Sequence, residues 1–179
     1  FRACIGVVMI KIENVYKSFG EKEVHRGVNL DVRDGETTVI LGKSGGGKSV
    51  LLKMIIGLIK PDSGSITVDG KEVTTMSFRQ LQRLRFKFGF LFQGAALFDS
   101  MTVGENIELA LRRHGDLKDA DLRERVRYAL SLVKLENVEH LMPSSLSGGM
   151  KKRVGLARAI ALTPKYMLYD EPTTGLDVE

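Results

Sequence analysis

The chain has 179 residues, of which 43% are hydrophobic and 27% charged, and its formal net charge is +5. This composition is typical of one ordinary globular domain and excludes a collagen-like, disordered or disulfide-built chain. The single cysteine, Cys4, cannot form an internal disulfide. The best apolar run, residues 50–59, is interrupted by Lys53 and is too short to span a membrane. We interpret the modest excess of positive charge as ordinary charged side chains on a solvated surface, so no nucleic acid partner is expected.

Both ends of the chain suggest a fragment. The first methionine is Met9, and residues 9–15 alternate like a normal first strand. We therefore expect residues 1–8 to be a non-native upstream extension, the alternative being a genuine N-terminal strand. The chain stops at Glu179, directly after a cluster of acidic and turn residues, without a closing strand or helix. We expect it to be truncated at its C-terminus.

The first third of the chain predicts strands followed by one buried helix. Residues 9–41 have the pattern of strands, with a hairpin-type turn at Asp34-Gly35 and a short β-rich run over 37–41. Residues 48–58 are apolar on nearly every side, which predicts a buried helix that the segment 60–64 terminates.

Strands and helices alternate in the rest of the chain. Leu122, Val126 and Leu130 recur at helical spacing, and a second helix follows residues 147–149. The other predicted elements, in chain order, are a strand and turn over 66–70, a helix over 77–85, and buried strands over 88–92 and 166–169. This alternation predicts an α/β domain with a mainly parallel sheet.

The strongest motif is Gly-Lys-Ser-Gly-Gly-Gly-Lys-Ser at residues 42–49, which matches G-x-x-x-x-G-K-[ST] between a predicted strand and a predicted helix. Its glycines let successive N–H groups converge on phosphate oxygens, and the helix start adds its positive dipole end. Lys48 would reach the β- and γ-phosphates, while the Ser49 hydroxyl would ligate Mg²⁺. The alternative is a flexible glycine turn. The predicted ATP-binding residues of this segment are Gly42, Lys43, Ser44, Gly45, Gly46, Gly47, Lys48, Ser49 and Val50.

An acidic pair, Asp170-Glu171, follows the predicted strand 166–169. Ligands of open α/β sheets bind at the carboxyl ends of strands, and adjacent strand residues point to opposite faces. The two carboxylates can therefore do different work. Asp170 would hold Mg²⁺, usually through water, and Glu171 would orient and deprotonate the attacking water. The alternative is a solvated strand end.

A second anion-binding device, Ser147-Gly148-Gly149, stands at a predicted helix start. One chain has no need of a second γ-phosphate site, but a head-to-tail dimer does, because each subunit could close the nucleotide of the other.

The order of these motifs, phosphate loop, serine-glycine-glycine helix and Asp-Glu strand, strongly resembles the ATP-binding-cassette (ABC) ATPases over residues 9–179. The resemblance implies a P-loop NTPase core of the RecA-like type with a mainly parallel sheet, an N-terminal antiparallel β subdomain and an inserted α-helical subdomain. It places the core at 9–92 and 145–179, and the helical subdomain at about 93–144.

The same resemblance implies roles for further residues. Phe19 matches the aromatic residue that stacks on adenine, with Tyr16 as the second candidate and a core aromatic as the alternative. Gln93 matches the glutamine that contacts Mg²⁺ and the attacking water and senses the transmembrane partner. Asp177 matches the loop that crosses the dimer interface, where Ser147, Gly148 and Gly149 would act in trans. Met150 stands where many cassettes have glutamine, so one polar contact to the nucleotide is expected to be missing.

One departure from the family concerns histidine. The family has a switch histidine some 30 residues beyond the segment of Asp177, but His25, His114 and His140 all lie upstream. We interpret each of the three as a surface or packing residue. The fragment is therefore expected to bind ATP poorly and turn it over little, although the full protein should be an ATPase.

Local features resemble the ATPase of the Mce-type phospholipid transporters, the group of lipid-asymmetry and toluene-tolerance systems. They are residues 92–103, residues 146–153, the segment 49–53 and Tyr169 directly before Asp170. The resemblance implies ATP and Mg²⁺ as cofactors. It also implies a second copy of the subunit, transmembrane permease subunits and an Mce-domain lipid-binding protein as partners, and a peripheral location on the cytoplasmic face of the inner membrane.

The alternative within the family is a cassette of a polar amino-acid or other small-solute importer. DNA-repair and chromosome-maintenance ATPases use the same head but insert a long coiled coil, whereas Lys48 and Ser147 are only 99 positions apart (147 − 48), without sustained heptads. A translation-factor cassette pair would carry two phosphate loops, and a non-catalytic module would lack Glu171.

Overall fold

The computed structural model of the chain describes residues 7–113 and 118–171. The chain divides into two units, Phe1–Arg85 and Phe86–Glu179, and each is described by itself. The boundaries expected from the sequence, a core at 9–92 and 145–179 with a helical subdomain at about 93–144, differ from these two units and stay a prediction. In the described ranges, no helix combines the length and the hydropathy needed to cross a membrane.

The first unit is built on an antiparallel sheet with the strand order β2-β1-β3-β4. The strands are β1 (Val8–Phe19), β2 (Lys22–Arg33), β3 (Ser63–Val68) and β4 (Lys71–Glu72). Alternate apolar residues of β1 and β3 are almost completely buried, as expected for one covered face of a sheet. They are Ile10, Ile12, Ile66 and Val68. The predicted strand and turn over 66–70 are therefore confirmed.

Helix α1 (Lys48–Ile55) is shorter than the prediction of 48–58, and its end has a local cause. Gly57 has φ of +64°, which ends the helical path. Arg85, the last residue of α2 (Phe78–Arg85), donates from Nε to Ile56 O at 3.0 Å and from Nη2 to Gly57 O at 2.8 Å. These bonds satisfy carbonyls that the helix end leaves without partners.

The segment 37–41 is not a strand, contrary to the prediction from its β-rich composition. Its side chains include Val39, which is 72% exposed, and Leu41, which is 89% exposed. A strand needs a hydrogen-bonding neighbour, and β-propensity by itself does not supply one. The turn at Asp34-Gly35 is present, but it follows β2 and does not join a hairpin. The turn between β1 and β2 lies at Gly20, with φ of +59°.

The second unit combines a parallel strand pair with three helices. The elements are β5 (Phe88–Leu91), α3 (Val103–Arg112), α4 (Asp119–Leu132), a 3₁₀ turn (Pro143–Ser145), α5 (Gly148–Ile160) and β6 (Tyr166–Tyr169). Apolar residues from α3, α4 and α5, among them Ile107, Leu122 and Val154, form one buried cluster. The predicted helical spacing of Leu122, Val126 and Leu130 is confirmed because all three are buried on α4. Strand β6 is less buried than predicted, since Tyr169 is half exposed.

Asn106 of α3 organises the loop that precedes this helix. Its side chain is fully buried, and its Nδ2 donates to the carbonyls of Phe98, Met101 and Thr102 at 2.9–3.1 Å. Its Oδ1 accepts from Phe98 N at 2.8 Å. The amide thus meets the requirement that a buried polar group be hydrogen-bonded, and it holds the segment 98–102 in one conformation.

Candidate functional site

The phosphate loop, residues 42–49, closes tightly on itself. Gly45 and Gly47 have φ of +72° and +91°, in the left-handed region that glycine enters without steric cost. Gly46 N donates to Lys43 O at 3.0 Å, and a Cβ on Gly46 would lie 2.9 Å from the same oxygen. Gly47 then serves as the N-cap of α1. Glycine is thus required at three successive positions of the loop.

The charges at the start of α1 suit the binding of an anion. Lys48 Nζ donates to Gly42 O at 2.9 Å and to Lys43 O at 3.0 Å, so the ammonium lies over the loop. The N-cap residue Gly47 has no side chain with which to cap this helix, and the first turn of the helix itself carries no acidic residue. The positive end of the helix dipole is therefore not neutralised by a side chain of its own cap. Ser49 and Val50 lie in this first turn and are partly buried.

His25 on β2 packs against the phosphate loop at Gly47. The imidazole is 7% exposed, and its Nε2 has no hydrogen-bond partner among the described residues. A Cβ on Gly47 would lie 2.8 Å from the Cε1 of His25, so only glycine fits beside the ring. His25 is therefore a packing residue, which is one of the two interpretations its sequence position allowed. Burial lowers the pKa of His25 below its ordinary value, because it disfavours the charged imidazolium.

This lowered pKa predicts a loss of stability on the acid side. In the unfolded chain His25 titrates near its ordinary pKa of about 6.5, so below that pH the unfolded state binds the proton more readily. The free energy of unfolding should therefore fall as the pH drops below about 6.5 toward the lower pKa of the folded state. His25→Leu in the full-length protein should flatten this pH dependence in urea unfolding curves, while His140→Leu, at an exposed position, should leave it unchanged. An equal slope for the parent and His25→Leu would contradict the prediction.

The two aromatic candidates for the adenine site differ in their surroundings. Phe19 ends β1 and is 49% exposed, which does not fit the alternative of a core aromatic. Lys17 Nζ lies 5.3 Å from the Phe19 ring centroid and bonds Asp62 Oδ1 at 2.6 Å. The other candidate, Tyr16, is also half exposed, but its hydroxyl lies over Gly27, where a Cβ would be 2.8 Å from it.

Lys17 and Asp62 were not identified from the sequence as neighbours of the adenine candidate. Asp62 Oδ2 also accepts from Ser18 N at 2.7 Å, next to Phe19. The bonds from Lys17 and Ser18 lower the pKa of the Asp62 carboxyl. The pairing depends on a separation of 45 residues, for which the sequence carries no local signal.

Gln93 and Glu171 meet because of the register of the parallel strands. Leu91 of β5 pairs with Tyr169 of β6, and Asp170 N extends the ladder to Leu91 O at 2.9 Å. Continued by two residues, this register brings Gln93 beside Glu171, and Gln93 Nε2 donates to Glu171 Oε2 at 2.9 Å. Two residues that the sequence assigned separately to the reaction therefore form one hydrogen-bonded pair.

Asp170 and Glu171 differ in environment, as the alternation of a strand predicts. Asp170 is 5% exposed, whereas Glu171 is partly exposed and has φ of +48°. A left-handed backbone at a non-glycine residue costs free energy and is typical of functional sites. Strand alternation and this strained backbone give the two carboxylates distinct positions at the end of β6.

The proposed Mg²⁺ donors are chemically suitable. A serine hydroxyl, an aspartate carboxylate and an amide oxygen are the hard ligands that Mg²⁺ prefers. Because Gln93 Nε2 donates to Glu171, its Oε1 is the atom that could face the metal. Within the ranges that the structure describes, no three His, Cys, Asp or Glu side chains cluster.

Residues 147–149 form an exposed helix start. Ser147 is the N-cap of α5, and its Oγ accepts from Met150 N at 3.2 Å. A Cβ on Gly148 or Gly149 would meet no atom of the described residues within 4 Å. These glycines are therefore not required by packing inside the unit, which agrees with a role toward a partner molecule. Asp177 and His114 lie outside the described residues.

Comparisons with known proteins agree on one family. A model of the ABC transporter family matches residues 25–174. A curated relative, "Probable ribonucleotide transport ATP-binding protein mkl" of Mycobacterium leprae, is 45% identical over 95% of this chain and 49% of its own length. The "Intermembrane phospholipid transport system ATP-binding protein MlaF" of Haemophilus influenzae is 40% identical over 94% of this chain and 64% of its own length. The chain thus spans about half to two thirds of these relatives.

A solved structure shows the same fold. It is the dimeric post-hydrolysis state of the ATP-binding cassette MJ0796 bound to ADP and Pi, with a TM-score of 0.87 and 36% identity. The match covers 94% of this chain and 76% of that one. The chain therefore belongs to the ABC transporter family and has the P-loop fold of an ABC cassette, an α/β fold with an antiparallel β part and a helical part.

Proposed function

We propose that this chain is the ATP-binding and ATP-hydrolysing part of a subunit that energises a phospholipid ABC transporter. The observation that carries the proposal of hydrolysis is the hydrogen bond between Gln93 and Glu171 at the carboxyl end of the parallel pair β5–β6. A carboxylate held in place by an amide can act as a positioned general base, which supports hydrolysis rather than binding alone.

In this proposal the phosphate loop binds the nucleotide. Backbone N–H groups of residues 42–49 and the start of α1 contact the phosphates. Lys48 exchanges its bonds to Gly42 O and Lys43 O for bonds to the β- and γ-phosphates. Phe19 stacks on adenine, and Ser49, Gln93 and Asp170 hold Mg²⁺. When bound, this ion neutralises charge that develops on the phosphates.

Glu171 is the proposed general base. Its carboxylate orients a water molecule and accepts a proton from it as the water oxygen attacks the γ-phosphorus and the bond to the ADP leaving group breaks. Gln93 holds the carboxylate through Nε2.

We further propose that two copies act head to tail, with Ser147, Gly148 and Gly149 of one copy at the γ-phosphate of the other. The exposure of these residues and the dimeric state of the MJ0796 cassette support this arrangement. Asp177 would cross the same interface. Transmembrane permease subunits and an Mce-domain lipid-binding protein complete the proposed transporter, with the cassettes on the cytoplasmic face of the inner membrane.

The phospholipid substrate rests on the local segments 92–103 and 146–153 and on the similarity to MlaF, whose name states intermembrane phospholipid transport. A second candidate, transport of a small polar solute, is favoured by the similarity to mkl, whose name states ribonucleotide transport. The identities of 40% and 45% are too close to separate these two substrates.

Reconstitution separates the two candidates. The full-length protein is purified with the membrane subunits that accompany it and placed in liposomes, where ATP-driven transfer of a fluorescent phospholipid and uptake of a labelled ribonucleotide or amino acid are measured. The proposal expects phospholipid transfer that requires ATP and that Lys48→Ala abolishes. Solute uptake without lipid transfer would contradict it and favour the second candidate.

A further inference from the structure

Helix α5 holds the segment that follows Gln93 through one arginine. Arg158 donates from Nη1 to Ala96 O at 2.7 Å and from Nη2 to Ala95 O at 2.6 Å. Both bonds are short and charge-assisted, and the planar guanidinium reaches two successive carbonyls at once.

The held segment has a backbone conformation that its own residues disfavour. Ala95 and Ala96 have φ of +60° and +48°, and neither is glycine. Two consecutive L-residues in the left-handed region are strained, so the surrounding structure must impose this conformation. One contact comes from within the segment, since Ala95 N donates to Phe92 O at 3.0 Å.

Gly155 lets α5 approach the segment closely. Ala95 is 1% exposed, and a Cβ on Gly155 would lie 3.1 Å from the Ala95 Cβ and 3.3 Å from the Ala95 oxygen. Gly155 and Arg158 are three residues apart and therefore lie on one face of the helix. The contact at Gly155 presents the Ala95 carbonyl to the guanidinium.

Arg158 makes these bonds without an acidic partner among the described residues. Burial lowers the pKa of Arg158 from its ordinary value, although the group stays charged because that value is very high. Partial burial of the charged guanidinium costs free energy of desolvation. The hydrogen bonds of this guanidinium go to two carbonyls of one short segment.

From this geometry we infer that Arg158 is a positioning residue for the proposed ATPase reaction: by holding Ala95 and Ala96, it places the Gln93 amide against Glu171. Gln93 lies two residues before Ala95, and its Nε2 donates to Glu171 Oε2 at 2.9 Å. Release of the segment would leave Gln93 free to move away from the carboxylate. The inference rests on the proposed function, since it concerns the efficiency of the same site.

The test uses Arg158→Met, Arg158→Lys and the control Arg153→Met in the full-length protein. Arg153 is on the same helix and also donates to the carbonyl of a left-handed residue, Lys134, at 3.2 Å, but it has no hydrogen bond to the Gln93 segment among the described residues. Steady-state ATPase kinetics, binding of a fluorescent ATP analogue and amide hydrogen exchange over residues 93–98 are measured.

We expect Arg158→Met to lower kcat about 10- to 100-fold, because small misplacements of catalytic groups have effects of this size. KM and nucleotide affinity should change by less than about threefold, since Lys48 and Phe19, which are proposed to bind the phosphates and adenine, are unchanged. Amide exchange over 93–98 should become faster. Arg158→Lys keeps the positive charge but not the planar guanidinium, so its kcat should lie between those of the parent and Arg158→Met. Arg153→Met should match the parent in kcat and in exchange at this segment.

Three results would overturn the inference: a kcat of Arg158→Met per folded molecule within about twofold of the parent, an equal loss of kcat in Arg153→Met, or unchanged exchange over 93–98. If Arg158→Met does not fold, the kcat of Arg158→Lys and its amide exchange over 93–98 are compared with those of the parent instead. Failure of the proposed function is a distinct result, because the parent protein itself would then lack ATPase activity while the exchange measurement would still report on the segment.

Discussion

Glu171→Gln in the full-length protein is expected to abolish ATP turnover and to trap an ATP-bound dimer. The amide keeps the size of the carboxylate and can still accept from Gln93 Nε2, which now donates to Glu171 Oε2 at 2.9 Å. It cannot accept the proton of the attacking water, and loss of a general base lowers the rate about 10²- to 10⁴-fold. Because binding is intact and hydrolysis is not, ATP should accumulate at the dimer interface. Phosphate release and size-exclusion chromatography with ATP measure the two effects.

The matched control for this variant is Glu136→Gln, which makes the same change at an exposed position after α4. It should keep the turnover of the parent protein and should not trap a dimer. Undiminished ATPase activity in Glu171→Gln would remove Glu171 from the role of base. A loss of turnover shared by both variants would point to a general effect of lowered negative charge.

Lys48→Ala is expected to remove nucleotide binding. Charge-assisted hydrogen bonds contribute about 1.5–3 kcal/mol each, so loss of contacts to two phosphates should raise the Kd for ATP about 100-fold or more. The fold should tolerate the change, because the present partners of Lys48 Nζ are carbonyls of Gly42 and Lys43 in an exposed part of the loop. Titration with a fluorescent ATP analogue gives the affinity, and a thermal melt reports on the fold.

Lys53→Ala is the control for this experiment, since Lys53 is also a lysine of α1 but lies in its last turn. It should bind ATP like the parent protein. Normal ATP affinity in Lys48→Ala would count against the assignment of residues 42–49 as the phosphate-binding loop. A lowered melting temperature together with lost binding would assign the effect to folding and contradict the expected tolerance.

Helical periodicity predicted helix α4 of the second unit because the signal is local. Leu122, Val126 and Leu130 recur at the spacing of one helix face, and all three are buried on α4. The start of α5 was likewise visible, since Ser147 is a good N-cap residue and does cap this helix.

Strand predictions were less successful where pairing decides the outcome. The segment 37–41 has the composition of a strand, but it lacks strand pairing, and Leu41 is 89% exposed. Tyr169 belongs to a strand as predicted, but it is half exposed and not buried. Composition expresses the preference of a residue for a pleated surface, while burial depends on what covers that surface.

The sequence by itself determined the motifs of the proposed site: a glycine-rich loop with Lys48 and Ser49, an acidic pair at a strand end and a serine-glycine-glycine helix start. These motifs are contiguous, so the backbone conformation and the residue types that each requires stand together in the chain. Only the tertiary structure decided which distant residues meet. The register of β5 and β6 joins Gln93 to Glu171 across 78 residues, and α5 brings Arg158 to Ala95 across 63 residues. Such pairings arise from strand register and helix packing, which depend on the whole core and leave no pattern in the neighbouring sequence.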